Sequence, residues 1–252
     1  MEGMAALLAF GPEGWGDELA SGLLVTVSLA LATLPLGLCV GFAVALAKQS
    51  PERSLRMAAD IYTTIFRGLP DMTIIDPCDA DDITDMVPQI AAHPGPVYAR
   101  LLRGRVPSVL RRHRPDYRFR LGQAQMIREG RDVLVISTGL MTMRALDAAV
   151  ALAADRVDVG VLHVPTIKPL DVDTIAAEAA KGGRLVVTAE NHTVVGGLGE
   201  AVAGALLTRG IAPRFRMIGL PDAFLAAGAL PTLHDIYGLS VGKVAERIRG
   251  WL

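Results

Sequence analysis

The chain has 252 residues, of which 51% are hydrophobic, and its mean hydropathy is +0.39. That value is high for a soluble enzyme and indicates a local apolar segment. The formal net charge of −1 argues against nucleic-acid binding, which needs a basic face to neutralise phosphates. The two cysteines, Cys39 and Cys78, have no metal-ligand spacing and no partner pattern typical of a disulfide framework, so a reducing compartment is expected.

Residues 23–47 contain no charged side chain and predict a transmembrane helix, because a bilayer core needs about 20 residues of helix. A signal peptide and a buried soluble helix are the alternatives, but the first requires a basic start and the second is usually shorter. The residues before the run are acidic and those after it are basic: Glu2, Glu13, Asp17, Glu18, then Lys48, Arg53, Arg56. The positive-inside rule therefore places the N-terminus outside the inner (plasma) membrane and the rest of the chain in the cytoplasm.

The stretch GWGDELASGLLVTVSLALATLPLGL and the motif FRGLP at residues 66–70 resemble the start of a polar-amino-acid ABC-transporter permease. The resemblance covers about residues 14–70. No second apolar run of membrane-spanning length follows, so a single helix cannot enclose a transport route. The resemblance therefore implies a permease-derived segment, residues 1–70, without transport activity.

After residue 70 the pattern changes to that of an α/β protein. In residues 71–115, a short strand (MTIID) precedes a helix with Asp79 or Asp81 as its N-cap, and a second strand (GPVYARLL) precedes a basic connector. One strand–helix–strand piece is too small to bury a core of its own. Its strands are therefore expected to have open edges and an uncovered apolar face, which favour aggregation.

Residues 116–252 alternate apolar strands with helices. The predicted strands are 133–138, 157–164, 185–189 and 215–218, and the predicted helices are 142–155, 171–181, 197–208 and 240–252. The first of these helices has apolar positions at Met143, Leu146, Val150 and Ala153. Asp171 or Asp173 and Ser240 are the expected helix caps. The pattern predicts a mostly parallel sheet with helices on both faces.

Four places could carry chemistry. Residues 190–199 (ENHTVVGGLG) follow a strand and open a helix, where anions bind in open α/β sheets. GGLG is not the dinucleotide pattern, so a tight structural turn is favoured over nucleotide binding, with a subunit contact or substrate edge as a further alternative. Arg103 is either a phosphate or carboxylate ligand or part of a solvated basic loop. His163 lies inside a predicted strand and is predicted to be a core histidine with its hydrogen bonds satisfied. His234 is predicted to be a structural residue in a loop. Either histidine could instead be an acid–base group.

A second resemblance covers about residues 71–252. DMTIIDPCDADDITDMVPQIAAHPGPVYARLLRG, GRDVLVISTGLMTMRALDAA, VLHVPTIKPLD, VVTAENHTVVGGLGEAV and GALPTLHDIYGLS are together similar to the C-terminal half of transketolase, and most similar to bacterial transketolases split into two chains. It implies that residues 71–115 are the truncated end of the pyrimidine-binding domain and residues 116–252 the C-terminal domain. It also implies that Arg103 holds the phosphate of a sugar-phosphate substrate.

The same resemblance implies thiamine diphosphate and magnesium, but only in a complex with an N-terminal transketolase subunit. The family's Gly-Asp-Gly motif does not occur here, and the carboxylate that activates the cofactor would lie before residue 71. No catalytic, cofactor-binding or metal-binding residue is therefore predicted in this chain, and Arg103 is the predicted substrate-binding residue. The C-terminal domain is expected to contribute homodimer contacts.

These observations favour a fusion of a permease-derived membrane helix with a transketolase-like C-terminal subunit that is inactive alone. The alternative is a membrane-tethered interaction module, or a permease remnant without transport activity. Ketol transfer, if present, requires a complementary subunit.

Overall fold

The computed structural model describes residues 16–50, 52–57, 72–102 and 106–252. The chain divides into two compact units, Met1–Pro70 and Asp71–Leu252. Segment 71–115 packs within the second unit together with residues 116–252.

The described part of the first unit contains the long helix α1 (Gly16–Gln49), with Pro35 in its interior. Its segment Ala20–Ala47 has a mean hydropathy of 2.3, and large apolar side chains such as Leu34 are exposed along it. The hydroxyl of Thr26 donates to the helix carbonyl four residues earlier at 2.8 Å, so its polar group is satisfied within the helix. Within the described residues, this is the helix that is long and apolar enough to cross a membrane, by length and composition alone.

The described part of the second unit contains eight strands and seven helices. The strands are β1 (Thr73–Ile75), β2 (Val97–Ala99), β3 (Gln125–Arg128), β4 (Val133–Ser137), β5 (Val159–His163), β6 (Thr166–Lys168), β7 (Leu185–Thr193) and β8 (Arg214–Leu220). The helices are α2 (Ala80–Ala91), α3 (Leu110–His113), α4 (Leu140–Ala153), α5 (Val172–Ala179), α6 (Leu198–Thr208), α7 (Leu230–Ile236) and α8 (Val241–Trp251).

The main sheet has the order β3-β5-β4-β7-β8. The pairs β5–β4, β4–β7 and β7–β8 are parallel, and β3 pairs with β5 in the antiparallel direction. The strands β4 (VLVIS) and β5 (VGVLH) are mostly apolar and fully buried, as expected for parallel strands covered on both faces. The predicted mostly parallel sheet is confirmed.

Successive residues of β4 face opposite layers of helices, because side chains alternate across a strand. Val133 and Val135 belong to the core that includes α4 and α8. Leu134 and Ile136 belong to the core that includes α5 and α6. Helices therefore cover both faces of the main sheet.

The predicted apolar face of α4 is wrong in part. Leu146 is buried, but Val150 is 61% exposed and Ala153 is also exposed. The buried residues of the helix are Met141, Thr142, Ala145, Leu146, Ala148, Ala149 and Leu152. Apolar residues occur all round this helix, so the sequence pattern does not select one face, and small alanines allow the backbone to lie close to the sheet and to α8.

The second sheet has the order β2-β1-β6, with β1 parallel to β2 and antiparallel to β6. The strand β6, which follows the main-sheet strand β5 in the chain, pairs with one edge of β1, and β2 pairs with the other edge. The prediction that the strands of segment 71–115 have open edges is therefore wrong for β1. The segment also has a small core of Ile75, Met86 and Phe119. Residues after 115 complete this core, which the sequence pattern did not reveal.

Side-chain caps fix three helix starts. Asp79 accepts from the N–H groups of residues 81 and 82 at the start of α2. Asp171 caps α5 and Ser240 caps α8. Asp79 also accepts from the N–H groups of Val109 at 2.6 Å and Leu110 at 2.8 Å, so one carboxylate holds the starts of α2 and α3 together.

Candidate functional site

A pocket of about 260 Å³ lies where the carboxyl ends of β1, β2, β4 and β7 meet the amino end of α6. Ligands of open α/β sheets bind beyond the carboxyl ends of the strands, and this pocket is therefore the candidate site. Its walls combine apolar and polar side chains: Ile74, Asp76, Tyr98, Arg100, Thr138, Ile167, Glu190, His192, Gly196, Gly197 and Leu198.

Asp76 follows β1 directly and is 6% exposed. The hydroxyl of Thr138 donates to the main-chain oxygen of Asp76 at 3.3 Å, and the N–H of Gly139 donates to the same oxygen at 3.1 Å. Burial raises the pKa of the Asp76 carboxyl above its ordinary value, although the positive charge of Arg100 acts in the opposite direction. The pocket therefore contains a carboxyl group that takes up a proton more readily than an exposed aspartate.

Arg100 follows β2 and bridges two parts of the pocket. Its Nη1 lies 3.8 Å from Oδ2 of Asp76, and its side chain is 35% exposed. Its Nη2 donates to the main-chain oxygen of Asn191 at 2.6 Å, which ties the small sheet to the end of β7. The planar guanidinium has further donors, so Arg100 can bind an anionic or hydroxyl group of a ligand in the pocket.

Glu190 lies in β7 and caps α6. Its two oxygens accept from the N–H of Leu198 at 2.7 Å and from the N–H of Gly199 at 2.8 Å. Burial raises the pKa of the Glu190 carboxyl, while these two hydrogen bonds lower it in part. A carboxylate at this position stabilises the helix, since the amino end of a helix carries partial positive charge.

The glycines of residues 190–199 allow that cap to form. A Cβ atom on Gly197 would lie 2.1 Å from Oε2 of Glu190, so any side chain there would displace the carboxylate. The N–H of Gly196 donates to Glu200 at 2.8 Å. The N–H groups at the start of α6 are thus used by the chain's own carboxylates, which supports the structural-turn interpretation and leaves little room for a nucleotide phosphate.

His163 is fully buried and lies in a hydrogen-bonded cluster. Its Nδ1 is 2.8 Å from the hydroxyl of Thr142, and its Nε2 is 2.9 Å from Oδ2 of Asp82. Asp82 also accepts from the hydroxyl of Tyr117 at 2.5 Å and from the N–H of Cys78 at 2.7 Å. Burial opposes ionisation of Asp82, but the attraction to His163 and these hydrogen bonds hold its pKa below the ordinary value. The prediction of a satisfied core histidine is confirmed.

His234 was predicted in a loop but lies in the last turn of α7, and it is 2% exposed. Its Nδ1 is 2.9 Å from Nη2 of Arg144. Burial lowers the pKa of His234, and the charge of Arg144 lowers it further. His234 does not line the candidate pocket, which is consistent with a structural role.

Arg103, the predicted substrate-binding residue, lies outside the described residues, so its role stays a prediction. The sequence interpretation did not single out Asp76 or Arg100. A usable signal existed, because each is a charged residue immediately after a strand of a parallel pair. Such positions meet at one edge of a sheet.

Comparison with known proteins then identifies the domain. Residues 122–244 match the family model for the C-terminal domain of transketolase. These residues belong to the transketolase C-terminal domain family. The matched region covers the main sheet from β3 through β8 and most of its helices.

Two similar proteins and one solved structure agree with this assignment. A transketolase family protein of Sinorhizobium fredii, y4mN, is 64% identical over 189 residues, which cover 75% of this chain and 54% of that protein. The 6-deoxy-6-sulfo-D-fructose transketolase subunit SqwH of a Clostridium species is 41% identical over 183 residues, covering 73% of this chain and 55% of that protein. The chain thus spans about half the length of these relatives.

The solved structure is described as a split gene transketolase, inactive beta4 tetramer. It superposes with a TM-score of 0.65 at 36% identity and covers 72% of this chain and 58% of that chain. These matches support the fold and a likeness to split transketolases. They do not extend to the resemblance of residues 14–70 to a permease, which stays a prediction.

Within the part of the chain that the structure describes, no group of three or more His, Cys, Asp or Glu side chains could hold a metal ion. The complete sequence also contains no Gly-Asp-Gly motif.

Proposed function

We propose that this chain is the C-terminal component of a two-chain transketolase, which transfers a ketol unit between sugar phosphates only with an N-terminal subunit. The observation that carries this proposal is the match of the main sheet to the transketolase C-terminal domain, together with a relative that is a transketolase subunit by name. On this proposal, segment 71–115 is the retained end of a pyrimidine-binding domain. Its sheet β2-β1-β6 joins the two domains.

The candidate pocket provides the groups that a sugar phosphate requires. Arg100 offers guanidinium donors, and Asp76 offers a carboxyl oxygen, across a mostly apolar pocket that also contains Tyr98. Arg103 follows the same strand as Arg100, four residues after the end of β2. We assign Arg103 to the substrate's phosphate by family resemblance, because a planar guanidinium matches phosphate geometry.

Thiamine diphosphate supplies the carbanion chemistry in this proposal, and the N-terminal subunit holds it with magnesium. The contribution of this chain is to bind and orient the substrate and to support the subunit contact. Homodimer contacts through the C-terminal domain belong to the same proposal. The chain alone is then expected to have no ketol-transfer activity.

Reconstitution tests this function. The intact chain in detergent micelles is assayed alone and after mixing with the N-terminal subunit of a split transketolase, with thiamine diphosphate, magnesium and a ketose-phosphate donor. We expect transfer only in the mixture. Arg103→Met should raise KM for the phosphorylated donor by about tenfold or more, since a charge-assisted hydrogen bond is lost, whereas Arg112→Met should not. Transfer by the chain alone, or none in a stable mixed complex, would contradict the proposal.

A second candidate function is a membrane-tethered interaction module or a permease remnant without transport activity. The observation that favours it is α1, whose apolar segment is long enough to span a bilayer. In this proposal residues 1–70 derive from a permease, and the C-terminal domain lies in the cytoplasm at the inner membrane. Protease protection in oriented vesicles tests the orientation: cleavage after residue 70 should occur only from the cytoplasmic side.

A further inference from the structure

A second pocket, of about 360 Å³, lies at the opposite end of the main sheet from the candidate site. It is bounded by residues 179–184, which lead from α5 into β7, and by residues 211–214, which lead into β8. Three cationic side chains line it, those of Lys181, Arg184 and Arg214, and no carboxylate does so. The pocket is therefore built to attract an anion.

Arg184 provides a buried donor at this pocket. Its side chain is 5% exposed, and its Nη1 donates to the main-chain oxygen of Gly130 at 3.2 Å. Its Nη2 donates to the main-chain oxygen of Glu178 and lies 3.3 Å from Oε2 of the same residue. Its Nε is buried and has no hydrogen-bond partner among the described residues. This nitrogen lies inside the protein, so Arg184 contributes positive charge to the pocket, and the exposed Lys181 and Arg214 are the donors that an anion can reach.

The pocket also has more positive than negative charge. Glu178 is shared by two cations, since its Oε1 lies 2.7 Å from Nζ of Lys181 while its Oε2 faces Arg184. Arg214 donates to the main-chain oxygen of Trp251 at 2.5 Å and has no carboxylate partner within the described residues. The turn between these cations contains Gly182 and Gly183, whose N–H groups make no hydrogen bond within the described part of the chain.

We propose that this pocket binds the phosphate group of a small molecule, either free phosphate or a phosphate monoester. A phosphate has several acceptor oxygens and two negative charges, so it can accept from donors on separate side chains at once. A single carboxylate pairs best with one guanidinium fork and would leave other cations of the pocket unpaired. The proposal does not depend on ketol transfer, because the pocket shares no lining residue with the candidate site.

The experiment measures phosphate binding to the intact chain in detergent micelles by calorimetry at constant ionic strength. Inorganic phosphate and glycerol 3-phosphate are titrated separately, and the tighter of the two identifies free phosphate or a monoester as the ligand. We expect saturable binding that the double variant Lys181→Gln/Arg214→Gln weakens by about tenfold or more, because two charge-assisted contacts are lost. Both side chains are substantially exposed, so the variant should fold, and circular dichroism verifies this.

A matched control comes from another hollow of about 310 Å³, which Arg114, Arg118 and Arg120 line together with the carboxylate of Asp116. Asp116 lies 3.3 Å from Arg114 and offsets part of the positive charge there. The double variant Arg118→Gln/Arg120→Gln removes the same charge and should bind phosphate as the unmodified chain does. Arg214→Lys, which keeps the charge, should retain most of the binding. The proposal is overturned if phosphate does not saturate the chain, or if the control variant weakens binding as much as the pocket variant.

Discussion

Oδ2 of Asp82 lies 2.9 Å from Nε2 of His163, although the two residues are 81 positions apart in the chain. Asp82 belongs to α2, in the segment before residue 115, and His163 ends β5 of the main sheet. Both side chains are fully buried. The pair therefore connects α2, in segment 71–115, to the main sheet through a polar contact in the protein interior.

The first prediction is that Asp82→Asn destabilises the second unit strongly. The carboxylate accepts hydrogen bonds from His163, Tyr117 and Cys78, and an amide of the same size cannot accept all three. Breaking a buried pair in this way is expected to lower the free energy of unfolding by about 3 kcal/mol. Urea unfolding of the intact chain in detergent, followed by circular dichroism, measures this change.

Asp173→Asn is the matched control for that substitution. Asp173 also pairs with a basic residue, Arg209 at 2.6 Å, but its side chain is 87% exposed. Surface ion pairs contribute little to stability because water screens them. If the two variants unfolded at the same urea concentration, the buried pair would not hold the segment to the domain.

The second prediction concerns Gly197 at the start of α6. In Gly197→Ala the new Cβ would lie 2.1 Å from Oε2 of Glu190 and 2.5 Å from the main-chain oxygen of Thr193. Relief of this overlap would displace the cap, and the free energy of unfolding should fall by about 1–3 kcal/mol. Thermal and urea unfolding of the variant measure the loss.

Gly204→Ala, in the same helix, should have the opposite effect. Apart from the neighbouring backbone of the same helix, no described atom lies within 4 Å of a Cβ at Gly204, and alanine favours a helix interior over glycine by about 0.5–1 kcal/mol. A loss of stability in Gly204→Ala, or none in Gly197→Ala, would contradict the structural role assigned to the turn.

The sequence predicted the main sheet well because its central strands and caps carry strong local signals. The strand β4 begins with an uninterrupted apolar run, Val133 to Ile136, and Asp171 and Ser240 occupy positions at which only a few residue types cap a helix. The short strands β3 and β6 and the helix α7 were not predicted. They have at most seven residues, and pairing with β5 and β1 defines the two strands rather than a local pattern.

The candidate site was less predictable than the fold. The glycine-rich turn at residues 190–199 was recognised, but nothing local shows that Glu190 would occupy the helix end. Asp76 and Arg100 come together because β1 and β2 are adjacent and parallel, and that pairing depends on the tertiary structure. The Asp82–His163 contact could not be predicted either, since residues so far apart meet only when both sheets have formed.

The third prediction tests whether α1 inserts into a membrane. Leu34 lies near the middle of Ala20–Ala47 and is exposed. An arginine at the centre of a spanning helix costs about 3 kcal/mol for insertion, so Leu34→Arg should move a large share of the chain from the membrane fraction to the soluble fraction after alkaline carbonate extraction. Leu55→Arg, outside that segment, is the control and should leave the distribution unchanged. Equal membrane fractions for both variants would exclude α1 as the anchor.

The last prediction is that Asp76→Asn stabilises the chain near neutral pH. Because burial raises the pKa of Asp76 in the folded state, the folded state binds more protons than the unfolded state between the unfolded pKa of about 3.9 and the raised folded pKa. The free energy of unfolding therefore decreases as pH rises through this window, and ionised Asp76 destabilises the fold above it. Asparagine stays neutral, so the variant should be more stable than the unmodified chain near pH 7.

That advantage should shrink as the pH falls through the raised folded pKa and disappear below the unfolded pKa of about 3.9, where Asp76 is protonated in both states. For Asp82→Asn, the change in the free energy of unfolding should depend on pH with the opposite sign. The pKa of Asp82 is lowered in the folded state, so its ionised form stabilises the fold above the unfolded pKa and loses this effect as pH falls through the folded value. Urea unfolding of both variants across this pH range separates the two cases. Should Asp76→Asn be less stable than the unmodified chain near pH 7, the ion pair with Arg100 would outweigh the burial of the carboxylate.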